Sequence, residues 1–188
     1  NEVNIYNLNG NITIRSYNGS KIKVTTRNTI RANAQQTIDK AKSEIKLGVE
    51  LTKELTLFVE EPYDTRPNKH NGKNFSWENK KYDFVVSYDI VLPSNTKLNL
   101  NTVNGDITVE NVNGDIKTCN VNGDITLTEV SKVFNAITVN GDVNINSTTG
   151  AEIEAEYKTV NGDINLSLPE QFAGECLFKS LNGDFYTD

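Results

Sequence analysis

The 188-residue sequence has no methionine, one histidine, one tryptophan, two cysteines and four prolines. Each scarcity removes a class of function. A Ser-His-Asp triad would have to draw on the single histidine, His70, which alone does not make a catalytic site. Two cysteines and one histidine give no zinc cluster, and no G-x-x-x-x-G-K loop is present to cradle phosphate. No run of 18 apolar residues occurs, so no segment reads as a membrane-spanning helix. No signal peptide is visible, and a chain that starts at Asn1 without methionine reads as a mature or trimmed piece; a piece cut from a cytoplasmic protein would look the same. The net charge of -6 and pI near 4.9 argue against nucleic acid or an anionic membrane surface as partner, since both attract basic patches.

What is abundant is Asn, Thr and Gly, which favours strands and turns over helices. Asn-Gly-Asp occurs six times, at Asn104, Asn113, Asn122, Asn140, Asn161 and Asn182, with intervals of 9, 9, 18, 21 and 21. An apolar residue sits two places after each of these glycines and, in four of the six units, four places after it as well, as in Ile107 and Val109 or Ile125 and Leu127. Spacing of two means a strand with one buried face, and Asn-Gly turns the chain at its end. A hairpin meander uses the same turn signals, but it does not require a constant unit length. Winding does. The expected fold is therefore all-β, a single-chain β-solenoid of one domain spanning 1–188, with 18–21-residue coils and Asn-Gly-Asp corners.

Two units per coil sort the turns onto two edges: Asn104, Asn122, Asn140, Asn161 and Asn182 on one, and Asn95, Asn113, Ser131, Thr149 and Ala173 on the other. The expected core columns are Ile107, Ile125, Val143, Ile164, Phe185 and Val109, Leu127, Ile145, Leu166 on one wall. The opposite wall has Leu98, Ile116, Phe134, Cys176 and Leu100, Thr118, Ala136, Phe178, with the coil at Gly150 distorted. Residues 1–26 read as a first coil, 27–90 as an irregular cap or insertion, and 91–188 as the regular repeats. Within 27–90, Ile30, Ala34, Ile38, Ala41 and Ile45 predict a helix over 29–45. Strands follow at Leu47–Leu51, Leu55–Val59 and Tyr82–Leu92, the last closed by Pro93.

The order of short coil, helix, strand pair, Ile90-Val91-Leu92-Pro93 and then repeated Thr-Val-Asn-Gly-Asp-Ile resembles the bacterial adhesin-type domains of unknown function built from β-strand repeats, related to the head-GIN adhesin domains. The likeness covers nearly the whole chain. It implies a β-solenoid, an extracytoplasmic location in the periplasm or at the cell surface, and no catalytic residues to carry over.

Asp106, Asp124, Asp142, Asp163 and Asp184 form the sharpest constellation, a column of like charges at ~4.8 Å per layer. Either each carboxylate accepts turn backbone N–H groups, or Ca²⁺ lies between layers, held by carboxylate and carbonyl oxygens. The outward residues Thr108 and Glu110, Thr126 and Thr128, Asn144 and Asn146, and Asn165 and Ser167 form a flat polar ladder. It suits a repetitive glycan or a protein, and is equally what a solvated sheet carries. Tyr63, His70, Phe75, Trp77 and Tyr82 gather aromatics on a long loop, for stacking on sugars or for pinning the loop to the cap. Cys119 and Cys176, about three layers apart, are expected to be free thiols. These readings favour a non-enzymatic surface or envelope interaction module without cofactor. The competing classes are a calcium-binding solenoid and, last, a carbohydrate-active β-helix enzyme using a carboxylate pair. A last strand from Phe185 to Asp188 without a cap implies weak end-to-end self-association.

Overall fold

The computed structural model describes residues 1–62, 64–67, 81–149, 154–180, 184, 186 and 187. Among the described residues there are one helix and fourteen strands, the strands arranged as two seven-stranded sheets. The strands of the first are β1 (Glu2–Tyr6), β4 (Lys46–Leu51), β5 (Leu55–Glu61), β7 (Lys97–Asn101), β9 (Asp115–Cys119), β11 (Lys132–Ile137) and β13 (Glu156–Lys158). Those of the second are β2 (Ile12–Tyr17), β3 (Lys23–Ala32), β6 (Tyr82–Pro93), β8 (Ile107–Glu110), β10 (Ile125–Val130), β12 (Val143–Ser147) and β14 (Ile164–Ser167). Consecutive strands alternate between the sheets from β7 onward, and most neighbours pair in parallel, a solenoid-like arrangement.

The spatial orders are β13-β11-β9-β7-β1-β5-β4 and β14-β12-β10-β8-β2-β6-β3. The first coil is thus not at an end of the stack: β1 and β2 lie between the β5/β6 layer and the β7/β8 layer. Much of 27–90 is sheet. β5 and β6 extend the parallel array, and only β3 and β4 run antiparallel to their neighbours.

The core lies between the sheets, as the alternating pattern dictates. Ile12, Ile107, Ile125 and Val143 stack in register and are fully buried, as are Ile14, Val109 and Leu127. Facing them are Ile5, Leu100, Thr118 and Ala136, also fully buried. Each large aliphatic side chain removed from water contributes about 1.5–3 kcal/mol before the entropy cost.

Several expectations are corrected. The helix α1 is Gln35–Glu44 rather than 29–45. Residues 29–32 belong to β3, whose ten residues pair with β6 and place Ile30 beside Phe84; a complete antiparallel ladder outweighs a 3.6-residue pattern that only Ala41 carries into the buried core. In β11 a register shift puts Val133, not Phe134, beside Ile116. The next member of that wall is Tyr157 of β13, opposite Ala136, and not Cys176 or Phe178, both of which are exposed and outside any strand. The reason is positional: Ile5, Leu100, Thr118, Ala136 and Tyr157 each lie four residues before an Asn-Gly pair, so the wall counts back from that pair. The two cysteines are free. Asp184, Tyr186 and Thr187 are not in a strand, while Phe185 and Asp188 lie outside the described residues.

Tyr88 of β6 is buried between the sheets, and its hydroxyl has no hydrogen-bond partner among the described residues. Burial pushes its pKa up from 10.0 to about 12. Its folded pKa lies above the unfolded one, so the associated stability is present below pH 10 and is lost as pH rises toward 12. The loss is on the order of 3 kcal/mol. Chemical denaturation at pH 7 is expected to show Tyr88→Phe more stable by about 1 kcal/mol, and the variant should lack this part of the alkaline loss.

Candidate binding face

Asp106, Asp124, Asp142 and Asp163 immediately precede β8, β10, β12 and β14, each two residues before the outward-facing Thr108, Thr126, Asn144 and Asn165. Spacing of two puts both sets on one side of the sheet. The registers Thr13↔Thr108↔Thr126↔Asn144↔Asn165 make the second set one straight row, with neighbours ~4.8 Å apart. Thr13 is a member that the repeat spacing alone did not supply. Asn165 Nδ2 donates to Asn144 Oδ1 at 2.8 Å. A third row continues through Arg15, Glu110 and Thr128, where Arg15 Nε meets Glu110 Oε2 at 3.2 Å.

The aspartate row is a hydrogen-bonded chain. The N–H of Asp124 donates to Asp106 Oδ1 at 3.1 Å, that of Asp142 to Asp124 Oδ1 at 2.8 Å, and that of Asp163 to Asp142 Oδ1 at 2.8 Å. Asn11 begins the chain by accepting from Asp106 N–H at 3.1 Å. One oxygen of each of Asp106, Asp124 and Asp142 therefore accepts the backbone of the layer above. Among the described residues no group of three or more His, Cys, Asp or Glu side chains is arranged to hold a metal ion. Asp184 is exposed in irregular chain.

Beside this row runs an asparagine ladder. Nδ2 of Asn104, Asn122, Asn140 and Asn161 donates to Oδ1 of Asn9, Asn104, Asn122 and Asn140 at 2.7, 2.8, 2.8 and 2.7 Å. The following glycines Gly105, Gly123, Gly141 and Gly162 have φ between +137° and +155°. A Cβ on any of them would overlap the carbonyl oxygen of the glycine one layer below.

Inside the same edge lies a polar column that the repeat reading passed over. Asn120 Nδ2 donates to Gly105 O at 2.8 Å and Gly123 O at 2.9 Å. Asn7 does the same to Gly10 O and Val86 O. Thr138 and Thr159 donate to Gly123 O and Gly141 O at 3.0 and 2.8 Å. The signal was available: the residue three before each of these edge glycines is Asn or Thr at Asn7, Thr102, Asn120, Thr138 and Thr159.

Of the loop aromatics, Tyr63, His70, Phe75 and Trp77 lie outside the described residues. Tyr82 is buried, its hydroxyl 2.8 Å from Glu44 Oε2, and burial followed by that bond raises its pKa. At the start of the loop, Thr65 Oγ1 donates to Tyr6 O at 2.6 Å, and the Arg66 guanidinium lies 3.7 Å over the Phe58 ring, paired with Asp64 and Glu50. A cavity of about 250 Å³ opens elsewhere, between α1 and the β3/β6 pair, lined by Ile30, Ile38, Lys42, Ile45 and Phe84. No helix among the described residues is long and apolar enough to cross a membrane.

With two parallel-rich sheets and the repeated rows in place, comparison with known families is decisive on one point: the Toastrack DUF4097 family model matches residues 1–188. The chain belongs to this family. The Toastrack family is uncharacterised, so membership supports the solenoid-like, β-rich architecture and brings no activity or site residues with it. No curated protein and no solved structure matches this Toastrack chain.

Proposed function

We propose that this chain is a non-enzymatic adhesive or structural module of the cell envelope or surface, with the Asn-Gly-Asp segments serving as solenoid corners. Its binding surface is the outer face of the second sheet, and its partner is an extended glycan or protein. The observation that carries this reading is the register of Thr13, Thr108, Thr126, Asn144 and Asn165 beside the aspartate row. A flat lattice of hydroxyl, amide and carboxylate groups repeating at strand spacing meets a polymer that also repeats, and a rigid sheet orders few groups on binding. The resemblance to adhesin-type and head-GIN-like domains supports the same reading and suggests the extracytoplasmic location.

The test is pull-down with a panel of insoluble polysaccharides, including purified bacterial cell wall, by the chain and by a Thr126→Arg/Asn144→Arg variant. Retention of the parent, about tenfold weaker retention of the variant and an unchanged melting temperature are expected. Equal retention of the two would sink the assignment of this face.

Calcium binding by the aspartate row is the alternative. It has less support because the Oδ1 atoms of Asp106, Asp124 and Asp142 already accept backbone N–H groups. Asp124→Asn keeps an acceptor and removes one charge from the row. The structural reading expects its stability to be unchanged or raised by up to about 1 kcal/mol, with no effect of added Ca²⁺ on melting. A melting temperature that rises with Ca²⁺ in the parent and not in Asp124→Asn would establish the calcium reading instead.

A further inference from the structure

The two ends of the stack differ. At one end the outermost strands are β3 and β4, antiparallel to their neighbours; at the other they are β13 and β14. Both leave core-facing apolar side chains in water. On β4, Val49 is 65% exposed although its partner Leu57 is buried. On β3, Val24 is 36% exposed beside the fully buried Ile90. On β14, Ile164 continues the buried column of Ile107, Ile125 and Val143, yet is 44% exposed.

Following single columns through all seven strands shows what each end presents to the other. One runs from Val49 through Leu57, Ile5, Leu100, Thr118 and Ala136 to Tyr157. Another runs from Val24 through Ile90, Ile14, Val109, Leu127 and Ile145 to Leu166. The aspartate row starts at Arg27, whose partner Ser87 accepts Asn11 N–H, and ends at Asp163. Each column therefore begins and finishes with groups that suit each other: apolar with aromatic, apolar with apolar, cation with anion.

We propose that a second copy of the chain continues the stack head to tail. The β3 edge of one copy adds to the β14 edge of the next, antiparallel, because β3 alone in its sheet runs against the others. Arg27 then meets Asp163, Val24 meets Leu166, and Val49 meets Tyr157. The contact is heterologous and displaces each copy along the stack axis, so it propagates as an open filament instead of closing. The cations Lys23, Arg27 and Arg31, all exposed on the outer side of β3, repel a second β3 edge and so disfavour the symmetric alternative. In the filament the polar rows of successive copies run on as one continuous face.

The experiment has two parts. Sedimentation velocity of the 188-residue chain over a range of concentrations, at low and high salt, is expected to show a mass that grows with concentration and shrinks with salt. Val49→Asp/Leu51→Asp, at positions already exposed, should weaken association by about tenfold or more. In a Cys119→Ser/Cys176→Ser background, Arg27→Cys chains mixed with Asp163→Cys chains should form disulfide-linked pairs on oxidation, while neither forms them alone; opposed Cα atoms of an antiparallel pair lie ~4.5–5.5 Å apart, within disulfide reach. A mass independent of concentration, association indifferent to the β4 substitutions, or pairs formed by Arg27→Cys alone would each overturn the proposal.

Discussion

Gly123→Ala is expected to cost on the order of 4 kcal/mol of folding stability, measured by urea unfolding. Two costs add. The residue sits at φ +137°, where an L side chain stores about 1–3 kcal/mol of strain. The new methyl also overlaps the carbonyl of Gly105, which is backbone and cannot swing aside; crowding of that kind costs about 1–3 kcal/mol more. Relief would require the layers to part, and the same segment carries the Asn122–Asn140 link and the Gly123 N–H bond to Asn140 O. Gly174→Ala is the control. Its φ is unstrained and the nearest obstacle is the rotatable ring of Phe172, so a change within about 1 kcal/mol is expected. Equal effects at the two positions would show that the stacked carbonyls do not constrain the glycine.

The second large effect is expected at Asn120. Asn120→Ala takes the side-chain donor from Gly105 O, halves the side-chain donors to Gly123 O, which keeps Thr138, and removes the acceptor for Val121 N–H. Buried polar groups left unmet cost about 1–3 kcal/mol each, so a total of about 2–4 kcal/mol is expected in the same unfolding assay. Asn120→Thr should recover part of it, since Thr138 and Thr159 hold the equivalent place through a single hydroxyl bond. An alanine variant as stable as the parent would mean that water reaches these carbonyls and that the column adds nothing.

The regular layers were readable because their determinants are local and repeat. Ile107, Val109 and the glycine two residues before Ile107 fix a strand and a turn by themselves, and the repeat copies the solution upward. Tyr157 was missed because the added residues of the 21-residue coil fall before it, so that counting forward from Gly150 loses the register whereas counting back from Asn161 keeps it. Ile30 was misread because a helical spacing that crosses Asn33 says nothing of β6, fifty residues later, whose ladder claims the segment. The position of β1 and β2 inside the stack is likewise set by pairing with β5 and β6 across some fifty to eighty residues, which no local pattern encodes. On the candidate face, Thr108, Thr126, Asn144 and Asn165 were legible from alternation. The Asn7–Thr159 column, buried from Asn7 to Thr138, was not, since polar residues beside a turn ordinarily face water.

The glycine N–H groups of the edge have a chemical consequence. Asn-Gly is the pair in which the backbone nitrogen most readily attacks the preceding side-chain amide, expelling ammonia to leave a cyclic imide that water opens to aspartate or isoaspartate. In Gly10, Gly105, Gly123 and Gly141 that nitrogen is engaged, donating to the asparagine carbonyl of the layer above at 2.7, 2.9, 2.8 and 3.0 Å. Ring closure must first break this bond and pull the asparagine amide out of its ladder. The arrangement that holds the layers together thus also slows the ageing of a sequence whose commonest turn would otherwise be among its most perishable parts.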